Sequence, residues 1–479
     1  MTIRCTKELR RLASVGIGAA LLAAGATAAQ AQDHGAHGAR ADDPAPAQNH
    51  PHWMFDLGGG WNLGAMGQLV PIAAGGLAPE GSPLRHTSVY LTQPVAMVNL
   101  ESGEARFVLR FTPHFEGLTI AGGEKTFGGW GEGFIDSRHP HTYLHELMLS
   151  WNAWEAPGGR FSLSAGRGFA AYGTDDPMAR PAVGYPTNHH LSQILERWTV
   201  NAVYVTEGGW GVEGSIFDGG EPESPGDVGN HGNFPNSWSV RLSRRMGPGD
   251  RAGPFATWEV AASFAEVRET HGGHTDLTRL MNGKVRYGAD APLGRLYGLV
   301  EASLSRPEES SGYFSVLGEG QIERGVHRPY VRLEYATRPE YEREGTEAPG
   351  FFRYDHDAPA IGATRWLIAT LGYGHRLSGF PLAAKPFVEV GYHHASHERG
   401  PERLDPDQLF GASSFWGFRA GFRIFIGADG PMRMGSYGVL DPMSVMMRGS
   451  PHGAHEIHEM QADPAAGDPA RAIDHRDQG

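Results

Sequence analysis

Cysteine is all but absent. Cys5 is the only one in 479 residues, and it precedes an expected cleavage point. A mature chain without it has no thiol, which excludes disulfides, thiolate metal sites and cysteine nucleophiles together. Long apolar runs are missing too. After the N-terminal segment no stretch reaches the roughly 18 consecutive apolar residues of a membrane helix. Basic charge is short: 41 Lys and Arg stand against 54 Asp and Glu, for a net charge of −13, whereas a nucleic-acid partner calls for a basic face. No G-x-S-x-G elbow occurs, and no Ser/His pair stands out on a strand facing lipid or lumen, which argues against a membrane-embedded hydrolase. The expectation is a protein that is not an enzyme.

What is present begins with an export signal. Arg4, Lys7, Arg10 and Arg11 precede the apolar stretch Leu12 to Ala28, and Ala29-Gln30-Ala31 supplies a small-x-small cleavage pattern. Residues 1–31 therefore read as a signal peptide. The apolar stretch is short and rich in Gly and Ala, whereas a spanning helix wants about 20 strongly apolar residues. Residues 32–52 are rich in His, Ala, Asp and Pro and read as disordered.

From residue 53 to 426 the chain repeats a period of two. Ser237 to Ser243 alternates without a fault, and Thr257 to Phe264 does the same. Trp416, Phe418, Phe422, Ile424 and Ile426 fall on one face, with Arg419 and Arg423 on the other. Leu147, Leu149 and Trp151 oppose Glu146, Ser150 and Asn152, and Val331, Leu333 and Tyr335 oppose Arg332 and Glu334. A soluble sandwich would alternate as well, so the choice rests on the export signal, the length and the loops. Connections alternate between short (99–104, 155–159, 207–209, 247–253, 289–294, 324–328, 377–383) and long (117–140, 171–188, 219–236, 269–276, 340–362, 398–412). Short periplasmic turns and longer outer loops are the rhythm of an outer-membrane barrel. The expected fold is all-β: one transmembrane antiparallel β-barrel of about 16 strands, between roughly 14 and 18, its first strand running from Trp53 to Ile72. Trp238, Trp258, Trp366 and Trp416 are expected on the lipid face. Glycine, at 68 residues, and the abundant aromatics fit the same picture.

The remaining residues, 427–479, read as a Met/His-containing C-terminal tail. Such barrels usually finish on an aromatic residue, and this chain instead runs on for about 50 residues past its last strand.

Three groups of side chains could carry chemistry. The densest is Asp136-Ser137-Arg138-His139-Pro140-His141-Thr142-Tyr143-Leu144-His145-Glu146, whose His139, His141 and His145 suit Zn, Cu or Ni. No second His follows at helical spacing, so this is not a metalloprotease helix. Asp175-Asp176-Pro177-Met178-Ala179-Arg180-Pro181, with His189 and His190, falls in the next long loop and could meet the first group over one pore mouth. The alternative is that these residues only hydrogen-bond folded loops to one another and to the wall. In the tail, Met432, Met434, Met443, Met446 and Met447 offer thioethers and His452, His455 and His458 imidazoles, ligands for copper or another transition metal. A mobile tail packing against the barrel opening is the competing reading. Finally, Arg106, Arg110, Arg241, Lys284, Arg286, Arg332, Arg419 and Arg423 are expected to face the lumen with Glu146, Glu213, Glu259, Glu334 and Glu389. Such a lining either forms cross-strand pairs or shapes a field for small polar solutes, with a modest preference for anions.

The Asp136-x-Arg138-His139-Pro140-His141 stretch, the Asp-Pro-Met-x-Arg-Pro and His-His that follow, Glu213-Gly214-Ser215-x-Phe217 and Ser237-Trp238-Ser239 resemble one group of proteins. It is a family of uncharacterised Gram-negative outer-membrane β-barrels with a D-x-R-H-P-H loop motif, often met beside heavy-metal resistance systems. The resemblance spans roughly Trp53 to Ile426 and implies the barrel fold and the outer membrane. The functional expectation is a channel or transport barrel for small polar solutes or ions. The alternatives are a copper- or heavy-metal-binding resistance protein acting through its His/Met-rich loops and tail, and, least favoured, the hydrolase. The partners are then outer-membrane lipid and small solutes or metal ions.

Overall fold

The computed structural model describes residues 53–119, 141–247 and 257–448, less positions 81, 83–84, 86, 188, 223–224, 230, 272–273, 309–310, 342, 345–352, 355–359, 380–381, 429 and 431–432. The expected signal peptide, the segment before Trp53, His139, and the tail histidines His452, His455 and His458 lie outside the described residues, as does Met432.

A short N-terminal strand, β1 (Trp53–Gly58), turns through glycines into β2 (Trp61–Leu77), which is followed by β3 (Thr87–Ser102), β4 (Phe107–Pro113), β5 (Leu144–Ala156) and β6 (Gly159–Gly168). Next come β7 (Arg197–Thr206), β8 (Trp210–Phe217), β9 (Ser237–Met246), β10 (Trp258–His271) and β11 (His274–Ala291). After these lie β12 (Gly294–Pro307), β13 (Tyr313–Glu323) and β14 (His327–Tyr341). A small hairpin, β15 (Arg343–Glu344) with β16 (Arg353–Tyr354), stands apart in one connection. The last strands are β17 (Ala360–His375), β18 (Leu377–Gly379), β19 (Leu382–Arg399) and β20 (Ser414–Ile426). Each main strand pairs antiparallel with the next, and β20 returns to pair with β2 from Gly67↔Ile426 to Leu77↔Trp416. The ring is thereby closed as a single transmembrane barrel of 16 strands. The first strand divides into two, because Gly58, Gly59 and Gly60 all take positive φ. β1 then folds back on β2 from Trp53↔Ala65, along the part of β2 that β20 does not reach.

Alternation in this wall is inverted relative to a water-soluble protein. Along β9, Ser237, Ser239, Arg241, Ser243 and Arg245 are buried while Trp238, Val240, Leu242 and Met246 are exposed. The same holds for Arg332 and Glu334 against Val331 and Leu333, which are 46% and 54% exposed. Each Val or Leu left in water forfeits about 1.5–3 kcal/mol, so a belt of them is stable only against hydrocarbon. Inversion is what separates this barrel from the sandwich that alternation alone allowed.

Two expectations need correction. Trp366 does not face lipid. Arg365 and Leu367 point outward, so parity turns Trp366 inward, where it is fully buried against Phe410 and Phe415. The short helix Pro406–Phe410 in the connection before β20 covers it. The connection between β10 and β11 is a tight one, because pairing continues to His271↔His274.

Candidate functional site

The lumen is occupied by two segments of the chain itself. One is the connection 169–196, entering from the end opposite the short turns. The other is 427–448, which turns back inside from the end of β20. The wall residues predicted to face inward are what hold them.

Arg180 of the inserted connection pairs with Glu301 at 3.0 Å, and the Val183 and Thr187 N–H groups donate to Glu389 (2.6 Å) and Glu334 (2.8 Å). Arg332 donates to the Gly184 carbonyl at 2.7 Å, and Arg423 to the carbonyls of Arg180 and Met178. Gly173 sits at a reversal with φ +64, where a Cβ would stand 1.7 Å from the Ser192 carbonyl oxygen. Only glycine fits that turn.

The C-terminal segment is tied as firmly. Arg433 forks onto Asp175 at 2.7 and 2.9 Å and reaches Glu259 at 3.1 Å, joining both insertions to the wall. Tyr437 donates to Glu146 at 2.8 Å and accepts from the Phe169 N–H at 2.9 Å. Arg110 meets Asp441 at 2.6 Å, and Asp441 in turn accepts from Met443 and Ser444 N–H at the start of the helix Pro442–Arg448. The described residues of 427–448 are thus part of the fold, not a mobile tail. Met434 and Met443 are buried among Met66, Met97, Met148 and Met178 around Phe169 and Tyr437, where the flexible thioether fills irregular space. For Met446 and Met447 the structure describes only the backbone, in that same helix.

Among the other lumen residues, Arg241 pairs with Glu213, and Lys284 (2.9 Å) and Arg286 (3.4 Å) with Glu259. Arg332 pairs with Glu334 at 2.8 Å and Arg419 with Glu389 at 3.3 Å. Arg241, Lys284, Arg286, Arg332 and Arg419 are thus each matched by a carboxylate, whereas Arg423 is held by backbone carbonyls. Arg106 does not line the lumen; it is exposed at the turn before β4.

Where the inserted connection meets β4, β5 and β7, three imidazoles and three carboxylates are buried together. The rings of His114, His141 and His145 lie 4.7, 4.8 and 5.8 Å apart by pairs. Glu196, immediately before β7, accepts from His145 Nδ1 (2.7 Å) and His141 Nδ1 (3.2 Å) and from the Thr142 N–H. Its backbone takes φ +58, a left-handed setting that is uncommon outside glycine and turns the carboxylate under both rings. Glu116 accepts from Thr92 Oγ1 (2.5 Å) and the Gln93 N–H (3.1 Å), while its own N–H donates to His114 Nδ1 at 3.3 Å. Asp176 caps the turn Pro177–Ala179 by accepting from Met178 N–H with one oxygen. Its other oxygen faces His145 Nε2 at 3.9 Å. Two trios, His114/Glu116/His141 and His141/His145/Glu196, have ligand atoms within 4.8 Å of one another.

Electrostatics at this cluster follow from burial and from Glu196. Burial pulls the His141 imidazole down, but the hydrogen bond and charge of Glu196 outweigh it and raise it to about 9. Burial would lift Glu196, yet its two imidazole partners hold it well below the usual carboxylate range. Burial, reinforced by the neighbouring imidazoles, keeps His114 neutral, and burial raises Asp176.

The structure thus brings together His141 and His145 from the first sequence cluster and Asp176 from the second. His114, Glu116 and Glu196 were missed. Parity could have found two of them, since Arg110, Thr112, His114 and Glu116 alternate inward. His189 and His190 lie in the short helix His189–Ser192, for which only their backbone is described. A Ser/His pair does exist: His394 Nδ1 and Ser414 Oγ are 2.8 Å apart across β19 and β20, with Tyr392 Oη also on that hydroxyl at 3.2 Å.

No family profile and no curated protein matches the chain. Among solved structures it is similar to an anion-selective porin from Comamonas acidovorans, at 12% identity and a TM-score of 0.45 over 76% of this chain and 100% of that one. It is also similar to the outer-membrane channel DcaP of Acinetobacter baumannii, at 10% identity and 0.45 over 78% and 99%. A third is OmpT, an outer-membrane protein of Vibrio cholerae, at 11% and 0.43 over 76% and 98%. Likeness this distant adds nothing to what the strand order itself shows.

Proposed function

We propose that the protein is an outer-membrane transport barrel for small polar solutes or ions, closed in this conformation by its own two inserted segments. The observation that carries the reading is the inverted wall: apolar outward, and inward a lining of arginine, lysine, carboxylate and hydroxyl groups. A wall built only for anchorage has no need of so many buried charges, each costly to desolvate unless paired. Here the pairing partners are supplied partly by the inserted segments. Withdrawing those segments returns the charges to water, which pays for their separation.

Planar-bilayer conductance tests this. The full chain is expected to conduct rarely, and a chain that ends at Gly427 and also lacks 175–187 to conduct in discrete steps, because both inserted segments are then gone. If the shortened barrel folds and neither form conducts, the transport reading fails. A second reading, a metal-handling outer-membrane protein, is favoured by one specific observation: the buried histidine–carboxylate cluster.

A further inference from the structure

The cluster around His145 holds more ligand capacity than the chain itself uses. His145 Nε2, His114 Nε2 and Asp176 Oδ2 are all buried, and none has a hydrogen-bond partner. His145 and Asp176 are fully inaccessible and face each other at 3.9 Å, too far for a hydrogen bond. A buried polar atom without a partner costs about 1–3 kcal/mol, and here two of them face each other across one gap. His145 turns Nδ1 to the Glu196 carboxylate at 2.7 Å, so that in the neutral ring Nδ1 carries the proton and the lone pair of Nε2 points at the gap. That is the carboxylate–histidine arrangement by which proteins orient an imidazole toward a metal. His141 is oriented by the same oxygen, and its Nε2 meets the Tyr185 hydroxyl at 3.3 Å.

We propose that this cluster is a binding site for one divalent transition ion of borderline character, Zn²⁺, Cu²⁺ or Ni²⁺, with His145 Nε2 and Asp176 Oδ2 as its first two ligands. His141, whose ring lies 4.8 Å from that of His145, is the nearest imidazole to join them, and Glu196 orients both rings. Bonds of about 2.0–2.2 Å on each side of one ion bridge a gap of this size with little movement. Imidazole with carboxylate selects these ions over Mg²⁺, which prefers oxygen ligands and keeps its water. The two ligands come from different parts of the fold, Asp176 from the inserted connection and His145 from the wall. An ion between them fastens the connection inside the barrel. The site stands whether or not the barrel conducts.

The test uses the full-length protein, folded in detergent, freed of metal with a chelator and titrated calorimetrically. Zn²⁺ is the ligand, Co²⁺ the coloured stand-in and Mg²⁺ the hard control. The expected result is one Zn²⁺ per chain, bound at least about 100-fold more tightly than Mg²⁺, with Co²⁺ absorption that shows nitrogen ligation. His145→Gln and Asp176→Asn should each weaken Zn²⁺ by about tenfold or more, and Glu196→Gln by about 10–100-fold through lost orientation. His393→Gln, at a buried histidine on β19, should bind as the parent does. Asp176→Asn keeps the shape of the side chain and its bond to Met178 N–H, so it serves if the histidine variant does not fold. The proposal is overturned if Zn²⁺ binds no more tightly than Mg²⁺. It is equally overturned if a folded, heat-modifiable Asp176→Asn or His145→Gln barrel binds Zn²⁺ as the parent does.

Discussion

Removing one oxygen atom, in Tyr437→Phe, should loosen the C-terminal segment from the lumen while leaving the barrel standing. The Tyr437 hydroxyl joins that segment to both the wall and the inserted connection through one atom: it donates to Glu146 at 2.8 Å and accepts from Phe169 N–H at 2.9 Å. Phenylalanine keeps the ring packing among the methionines and removes both bonds. The bond to a charged acceptor contributes about 1.5–3 kcal/mol, and stranding the Phe169 N–H costs about 1–3 kcal/mol. Glu146 retains Thr112 Oγ1 at 2.8 Å, so the lower half of the range applies, about 3 kcal/mol together. At about 1.4 kcal/mol per tenfold, the released population rises roughly 150-fold.

The assay exploits the near absence of thiols. With Cys5 removed, a cysteine placed at Val439, which is fully buried, is the sole thiol and reacts with a maleimide only when the segment leaves the lumen. Labelling should therefore accelerate by about two orders of magnitude in the Tyr437→Phe background, with gel heat-modifiability unchanged. An acceleration of less than about threefold would mean that the hydroxyl's bonds do not hold the segment, and the energetic reasoning would be refuted.

Two further outcomes follow from the same structure. Val240→Arg, on the outward face of β9, should destabilise the folded barrel by about 2–4 kcal/mol at mid-depth, with Val240→Leu near neutral; equal urea midpoints for the two in lipid vesicles would put Val240 away from hydrocarbon. The Asp175 carboxyl is raised by burial but more strongly lowered by the charge and hydrogen bonds of Arg433, so its folded value lies below its unfolded one. Its contribution is present above the unfolded value, near 4, and is lost as pH falls through the lower folded value. Labelling of a cysteine at Val439, divided at each pH by that of an exposed reference thiol to remove the thiolate's own titration, should stay flat from neutral pH down to about 4 and rise only below it. A rise that begins near pH 6 would place the control with histidine instead.

The wall was legible in the sequence because a period of two is a local property: each strand announces its own faces. The inversion of those faces could not be read from alternation, since Trp238-Val240-Leu242 against Ser239-Arg241-Ser243 reads identically for lipid outside and for a core inside; the export signal, the length and the loop rhythm supplied it. Trp366 shows where residue type misleads. Aromatic character suggested lipid, whereas the outward Arg365 and Leu367 on either side fix its parity, and parity decides. The split of the first strand at Gly58 to Gly60 and the tight link between β10 and β11 are matters of turn geometry that composition only hints at.

The interior was much less legible, and for a physical reason. What fills the lumen depends on contacts between residues far apart in sequence, such as Arg433 with Asp175 and Arg110 with Asp441. Period and propensity carry no information about such pairs. Methionines 434 and 443 were read as thioether ligands for a soft ion, and the structure buries both among four other methionines around Phe169 and Tyr437; the segment that carries them has no period. In the structure the absence of a period means only that the segment is neither strand nor long helix. It packs by shape, and Gly438 lets its backbone come so near the wall that a Cβ would stand 2.0 Å from Ser162 Oγ. The histidine cluster is intermediate. His141, His145 and Asp176 were visible as polar density in two loops, and His114 and Glu116 were available from the inward parity of Arg110 and Thr112. Glu196 had no local signal at all. Its left-handed backbone exists because Thr142 N–H, His141 and His145 together hold the carboxylate there. A cost of about 1–3 kcal/mol for that conformation is sustained only where the surrounding contacts exceed it. Strain of this kind marks the position at which the fold serves the cluster rather than the wall.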